Sequence, residues 1–295
     1  MFLGEDRGMP ALLALVAVTA VWGVTFVQVK DALLLYPLFA FLAVRFAIAA
    51  LVLAAPAAGR MRALGRPGWF AGVSLGLLLA LGYALQTAGL ERTTVSSAGF
   101  ITGLYVVFTP LLALLLFRTR VGGAVWIGVA LAVLGLTMLS GVGAGDPLGD
   151  LLVLGGSAAY SVQIVLMERY APRYDAVAFT QAEMLAAFAG FAIVAVALGQ
   201  VEIPRGWTVW GALLVTGIFA SALGFLVQTW AQRRTSATRT ALAFAMEPVW
   251  AGFFGFWLAG DRLGALGWGG CAVIMAGILV AEPEAGRTLR KMVVR

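Results

Sequence analysis

Apolar residues fill most of this chain in long blocks, and short polar segments separate one block from the next. A helix that crosses a bilayer needs about 20 mostly apolar residues, because its backbone polar groups must bond within their own segment. Ten blocks meet this requirement, and we predict membrane-spanning helices at residues 11–29, 35–56, 69–89, 95–117, 122–140, 148–167, 177–198, 207–230, 238–258 and 264–281. The predicted fold class is an all-α integral membrane protein, with residues 282–295 as a polar cytoplasmic tail.

Basic residues are unevenly divided between the two sets of loops. Fifteen of the 20 Lys and Arg residues fall on the side of the N-terminus, and four fall on the opposite side: Lys30, Arg92, Arg205 and Arg262. The remaining one, Arg45, lies inside the second apolar block. Cytoplasmic loops hold the excess of Lys and Arg in membrane proteins. We therefore predict that both termini are cytoplasmic.

The apolar blocks repeat. The third block contains GYALQT and the eighth contains GFLVQT, which pairs Gln86 with Gln228. A slightly different offset pairs Pro110 with Pro248 in the fourth and ninth blocks. These matches predict two five-helix halves, at residues 1–145 and 146–281.

Each predicted half has an odd number of spans, so the second half enters the membrane from the opposite side to the first. The two repeats are therefore predicted to be inverted. Inverted repeats are typical of alternating-access carriers, whose substrate sites lie between the halves near the middle of the bilayer.

Composition narrows the chemistry further. Only 12% of the residues are charged, whereas soluble domains average about a quarter. The chain has no His and one Cys, Cys271, which excludes a Ser-His-Asp triad, His-based zinc sites and an internal disulfide. We predict no catalytic residues, no metal and no cofactor. The net charge of +6 comes from basic residues in short loops, so no nucleic-acid partner is expected.

Several features of the chain occur together: the ten predicted spans, WGVTF in the first block, Arg45 in the second, and MEPVWAGFFGFWLAGDRL across the ninth block and its loop. With these features the sequence resembles the EamA family of the drug/metabolite transporter superfamily. The aromatic-rich spans are similar to the YddG type, which exports aromatic amino acids. This chain has Asp261 and Arg262 where the commoner pattern has Glu-Arg, and it lacks the intramembrane Lys pair of sugar-phosphate relatives. Phosphorylated substrates are therefore not expected.

The resemblance implies a secondary transporter that exports small metabolites, aromatic or neutral amino acids first, across the bacterial inner membrane by alternating access. A channel-like facilitator and a multidrug exporter are the alternatives, and a membrane-embedded enzyme is a remote one because every Asp falls in a predicted loop or end. The expected partners are the lipid bilayer and a small-molecule substrate. A proton is the candidate coupling ion, and the sequence leaves the oligomeric state open.

Polar side chains inside a membrane are costly, so they face a cavity or another helix. The repeat places an aromatic ring beside a hydrogen-bonding group in several blocks, which suits a pocket for an amphipathic metabolite. The Thr and Gln side chains could instead form hydrogen bonds to a neighbouring helix, which is the competing explanation for their presence in the spans. The predicted substrate-binding residues are Trp22, Thr25, Tyr83, Gln86, Thr102, Tyr105, Tyr160, Gln163, Gln228, Phe244 and Glu247.

Ionisable residues within the predicted spans receive different interpretations. Arg45 and Glu183 occupy equivalent places in the two halves, and we assign both a structural role. Glu247 precedes Pro248, which tends to kink a helix. Glu247 is therefore a candidate for a structural hydrogen bond, for proton coupling or for binding a substrate ammonium group. Pro110 and Pro248 are the predicted hinges.

Overall fold

The computed structural model describes residues 8–93, 95–140, 146–254 and 264–281, and every regular element in these ranges is a helix. The first half contains α1 (Gly8–Leu33), α2 (Leu38–Ala57), α3 (Gly65–Arg92), α4 (Val95–Gly103), α5 (Tyr105–Phe117) and α6 (Gly123–Ser140). The second half contains α7 (Pro147–Tyr170), α8 (Ala176–Ala197), α9 (Trp207–Leu214), α10 (Gly224–Gln232), α11 (Ala237–Phe244), α12 (Glu247–Phe254) and α13 (Ala265–Ala281). A π-helical segment, Val215–Leu223, joins α9 to α10.

Seven helical stretches are long and apolar enough to cross a membrane, within the part of the chain that the structure describes. They match the first four predicted spans and the sixth to eighth, whereas α6 and α13 are shorter apolar helices. The multi-pass membrane character predicted from the apolar blocks is thereby confirmed. The count of ten spans and the cytoplasmic termini remain predictions, since residues 1–7 and 282–295 lie outside the described ranges.

The ninth predicted span, residues 238–258, differs most from its prediction. The structure divides it into α11 and α12, with a break at Ala245–Met246. Residues 255–258, with the Asp261-Arg262 pair of the family resemblance, lie outside the described ranges. The break falls just before Pro248, whose ring and missing N–H oppose a continuous helix at that point.

The surface of the helical bundle is apolar and its interior holds many polar groups. Phe70 and Leu115 are each 75% exposed on the outside. Thr180, Gln163 and Thr229 are buried. This distribution suits a protein whose outer face meets lipid, because lipid solvates apolar side chains and interior polar groups bond to one another.

Glycines allow the closest helix contacts. In the pair formed by α6 and α13, a Cβ atom at Gly277 would lie 2.7 Å from the carbonyl oxygen of Gly128. Similarly, a Cβ atom at Gly156 in α7 would lie 2.9 Å from the carbonyl oxygen of Gly82 in α3. Small residues let helix backbones approach each other in membranes. The packing of α7 against α3 positions the side chains that line the candidate site.

Acidic residues cap the two helices that open the second half. The Asp146 carboxylate accepts a hydrogen bond from the Leu148 N–H of α7 and another, 2.9 Å long, from Arg92 Nε. The Arg92 hydrogen bond lowers the pKa of Asp146 below its usual value. Asp175 caps α8 by accepting hydrogen bonds from the first-turn N–H groups of Val177 and Ala178. Side-chain caps of this kind satisfy N–H groups that a helix start leaves without partners.

Candidate functional site

A cavity lies among helices from both halves of the chain. Helices α1 to α5 line it from the first half, and α7, α10, α11 and α12 line it from the second. The lining residues are Trp22, Thr25, Phe26, Val29, Arg45, Tyr83, Gln86, Thr87, Leu90, Thr102, Tyr105, Tyr160, Gln163, Ile164, Phe225, Gln228, Phe244 and Glu247.

Aromatic rings form much of the wall and meet across the two halves. The Trp22 ring lies 4.8 Å from the Phe244 ring and 5.6 Å from the Phe225 ring, centroid to centroid. The Tyr83 and Tyr160 rings meet edge to face at 5.5 Å. Tilted and edge-to-face contacts at these distances are favourable. The wall therefore offers flat apolar surfaces whose positions depend on both halves.

Two chains of side-chain hydrogen bonds line the cavity. In the first, the Tyr160 hydroxyl donates to Gln86 Oε1 and Gln86 Nε2 donates to Thr102 Oγ1, both at 2.9 Å. In the second, Gln228 Nε2 donates to Gln163 Oε1 at 3.0 Å, and Gln163 Nε2 donates to Glu183 Oε1 at 3.1 Å. Each chain fixes the orientation of a glutamine amide at the cavity wall, which gives the site directional polar groups.

The break before Pro248 holds Glu247 at the cavity. Proline has no N–H to donate, so the Phe244 carbonyl four residues earlier loses its helical partner. The Tyr105 hydroxyl from the first half donates to that carbonyl at 2.8 Å and lies 3.2 Å from Glu247 Oε2. One hydroxyl thus joins α5 to both sides of the break.

Two cavity-lining side chains of the first half form hydrogen bonds to the π-helical segment. Trp22 Nε1 donates to the Ala220 carbonyl at 2.8 Å, and Arg45 Nε donates to Ser221 Oγ at 2.8 Å. Short π-helical insertions often mark functional positions because they redirect carbonyls and side chains. Here the segment presents a carbonyl and a hydroxyl to residues that line the cavity.

Sequence comparison identifies the family. The EamA-like transporter family matches residues 9–141 and again residues 147–281. The chain belongs to the EamA-like transporter family. The family resemblance expected from WGVTF, Arg45 and the Glu-Pro motif is confirmed, and the EamA domain occurs twice in the chain.

Relatives of this EamA-family chain carry transporter names. A protein of Archaeoglobus fulgidus named as an uncharacterized transporter is 30% identical over 92% of this chain and 85% of its own length. The uncharacterized inner membrane transporter YedA of Escherichia coli is 28% identical over 92% of this chain and 90% of its own length. These names support membership of a transporter family.

The fold of this EamA-family chain also resembles a protein solved by crystallography. The two chains superimpose with a TM-score of 0.76 at 22% sequence identity. The superposition covers 95% of this chain and 99% of the other. At this level of identity the likeness concerns the fold alone.

All eleven predicted substrate-binding residues of this EamA-family chain line the cavity. Their binding of substrate remains a prediction. Pro110 lies within α5 and Pro248 lies in the first turn of α12, and neither is among the lining residues. Their action as hinges is likewise still a prediction.

Sequence reasoning left several lining residues outside the predicted set. They are Phe26, Val29, Arg45, Thr87, Leu90, Ile164 and Phe225. The position of Arg45 could have been predicted from the sequence, because an ionisable residue inside a span usually faces a cavity. Its repeat equivalent Glu183 differs: it is fully buried, is not among the lining residues, and accepts a hydrogen bond from the lining residue Gln163. The pairing in sequence therefore did not predict the different positions of the two charges.

Proposed function

We propose that this chain is a secondary transporter that exports small amphipathic metabolites, first among them aromatic or neutral amino acids, across the bacterial inner membrane. The cavity between the two EamA halves is the observation that carries the proposal. Its walls combine aromatic rings with amide and hydroxyl groups of fixed orientation. Such a wall can bury an apolar side chain while a few hydrogen bonds orient the polar end of the molecule.

Transport proceeds by alternating access in this proposal. The halves are inverted relative to each other, so a rocking motion exchanges the side on which the cavity opens. This motion would break and re-form contacts between the halves at the cavity, such as those of Trp22 with Phe244 and of Tyr160 with Gln86. Bending is assigned to Pro110 and Pro248, of which Pro248 follows the observed break between α11 and α12.

Glu247 is the proposed acidic group of the transport cycle. It lines the cavity beside Tyr105 and belongs to the second half, while Tyr105 belongs to the first. A carboxyl group in this place can bind either a proton or the ammonium group of an amino acid. A proton is accordingly the candidate coupling ion.

Counterflow in liposomes tests this function. We expect the reconstituted full-length chain to catalyse saturable counterflow of labelled phenylalanine, tryptophan or leucine, with different rates at an acidic and an alkaline pH. Gln86→Ala and Gln228→Ala should each lower the flux about 5-fold, since a hydrogen bond contributes about 1 kcal/mol. The matched control is Gln181→Ala, a buried glutamine of α8 that is not among the lining residues.

Other outcomes would lead to different conclusions. Equal flux in Gln86→Ala, Gln228→Ala and the control would remove the site assignment. Flux that neither saturates nor shows counterflow would identify a channel-like facilitator. Transport of cationic dyes with none of the amino acids would identify a multidrug exporter, for which the aromatic wall is equally suited.

A further inference from the structure

Arg45 is a buried cation whose bonding partners are all neutral. It lies in α2, is 4% exposed and lines the cavity. Its Nε donates to Ser221 Oγ at 2.8 Å and its Nη2 donates to the Tyr83 hydroxyl at 3.0 Å. It forms no ion pair with any acid in the described ranges. A charge in a membrane interior is expensive and usually has an opposite charge or a function.

The neutral partners orient the guanidinium without using all of its donors. Arginine has five N–H donors in a planar fork, and the two bonds above account for two of them. Arg45 Cζ also lies 4.5 Å from the centroid of the Tyr83 ring, which is a cation–π distance. This contact adds to the two hydrogen bonds in holding the guanidinium in place. The remaining N–H donors make no hydrogen bond with any residue that the structure describes.

A planar anion with two oxygens is the ligand that this arrangement suits. Arginine binds carboxylates and phosphates through parallel N–H bonds. Of the lining residues, Arg45 carries the guanidinium and Glu247 carries the carboxyl group. A cavity wall with one cation and one acid disfavours a doubly charged phosphate and favours a molecule that carries one charge of each sign. The rings of Trp22, Phe225 and Phe244 provide an apolar wall for the rest of that molecule.

We propose that Arg45 binds the carboxylate of the transported molecule and thereby selects zwitterionic α-amino acids over amines and amides of the same shape. This inference rests on the proposed transport function and adds a specificity-determining residue to it. Arg45 belongs to the first half, and Ser221 belongs to the π-helical segment of the second. A carboxylate on Arg45 therefore binds next to a hydrogen bond that joins the halves, which links substrate binding to their relative position.

The test compares amino acids with their own amides in full-length protein reconstituted into liposomes. The probes are phenylalanine, leucine and tryptophan, each paired with its carboxamide, which replaces the carboxylate by a neutral group. We expect wild-type counterflow of each transported acid to exceed that of its amide by at least about 10-fold, because charge-assisted hydrogen bonds are the strong ones. In Arg45→Gln this acid-to-amide ratio should fall to about 1-fold, which is no preference.

Arg60→Gln is the matched control variant. Arg60 lies between α2 and α3, where it pairs with Asp175 at 3.4 Å and is largely exposed. Its substitution should keep the wild-type ratio. If Arg45→Gln does not insert in the membrane, the acid-to-amide ratio of the wild type and of Arg45→Lys still decides the question. Arg45→Lys keeps the charge and loses the planar fork, so its ratio should fall between those of wild type and Arg45→Gln.

Two results would overturn the inference in distinguishable ways. Wild-type counterflow of amides as fast as that of acids, or an unchanged ratio in Arg45→Gln, would show that Arg45 is only structural while the transport function stands. Absence of counterflow for every acid and every amide would reject the proposed amino-acid transport itself, and the role of Arg45 with it.

Discussion

The Phe244 carbonyl shows how one missing hydrogen-bond donor shapes the candidate site. Pro248 cannot donate to this carbonyl, so the bond comes from the Tyr105 hydroxyl of the other half. The same hydroxyl lies beside the Glu247 carboxyl group. A buried carbonyl without a partner costs more free energy than a hydrogen bond normally contributes. Tyr105 is therefore expected to stabilise the break as well as to line the cavity.

Tyr105→Phe tests this role at the scale of a single residue. The substitution keeps the ring and leaves the Phe244 carbonyl without its donor, so the free energy of unfolding should fall by about 1 kcal/mol or more. The measurement is the midpoint of thermal unfolding of purified protein in detergent. Tyr174→Phe is the control, because the Tyr174 ring stacks on Phe179 and its hydroxyl makes no hydrogen bond with a described residue. Equal midpoints for the two variants would contradict the assignment.

At the scale of helices, the pair formed by α6 and α13 depends on backbone contact. A Cβ atom at Gly277 would meet the Gly128 carbonyl oxygen at 2.7 Å and Leu131 Cβ at 3.1 Å. Neither the carbonyl nor the Cβ atom can move without shifting a helix. These two helices are shorter than the seven long apolar stretches. We therefore expect their packing against each other to contribute strongly to their stability.

Gly277→Ala is expected to separate α6 from α13 and to lower the free energy of unfolding by about 1–3 kcal/mol, as overpacking does in tight cores. The control is Gly99→Ala in α4, where an added Cβ would meet nothing within 4 Å. There the better helix propensity of alanine should leave stability equal or raised. Thermal unfolding in detergent distinguishes the two variants. A loss of stability in Gly99→Ala as large as in Gly277→Ala would show that the close contact is not the cause.

At the scale of the whole molecule, the predicted inversion concerns the orientation of the two halves in the membrane. Gly59 lies in an exposed connection after α2, and Val201, 69% exposed, lies in the corresponding connection after α8. The predicted inversion of the halves would place these two connections on opposite sides of the membrane. The excess of basic residues around Gly59 predicts that its connection is cytoplasmic.

Cysteine labelling in intact cells tests this orientation. In a Cys271→Ala background, Val201→Cys should react with a membrane-impermeant maleimide in intact cells. Gly59→Cys should react only after the cells are permeabilised. Labelling of both cysteines in intact cells would contradict the inverted arrangement. Labelling of Gly59→Cys alone would reverse the predicted sides.

The alignment of the two sequence repeats predicted much of the candidate site. It paired Gln86 with Gln228, and the aromatic and polar residues of the paired helices were then selected. The eleven residues selected in this way all line one cavity. This worked because a polar side chain inside a membrane must face protein, which leaves few directions for it. Arg45 shows the limit of that reasoning. Its sequence position alone did not distinguish a bond to another helix from a place at the cavity wall.

The sequence by itself determined the membrane-spanning character, the duplicated domain and the family, because apolar length and repeated motifs depend on composition and order along the chain. Only the tertiary structure decided where α11 and α12 separate, that Val215–Leu223 is π-helical, and that Arg45 faces the cavity while Glu183 lies behind Gln163. The physical reason is that these features depend on which helices pack together. Hydropathy is nearly the same for an α-helix and a π-helix, and the direction of a buried side chain is set by its neighbours.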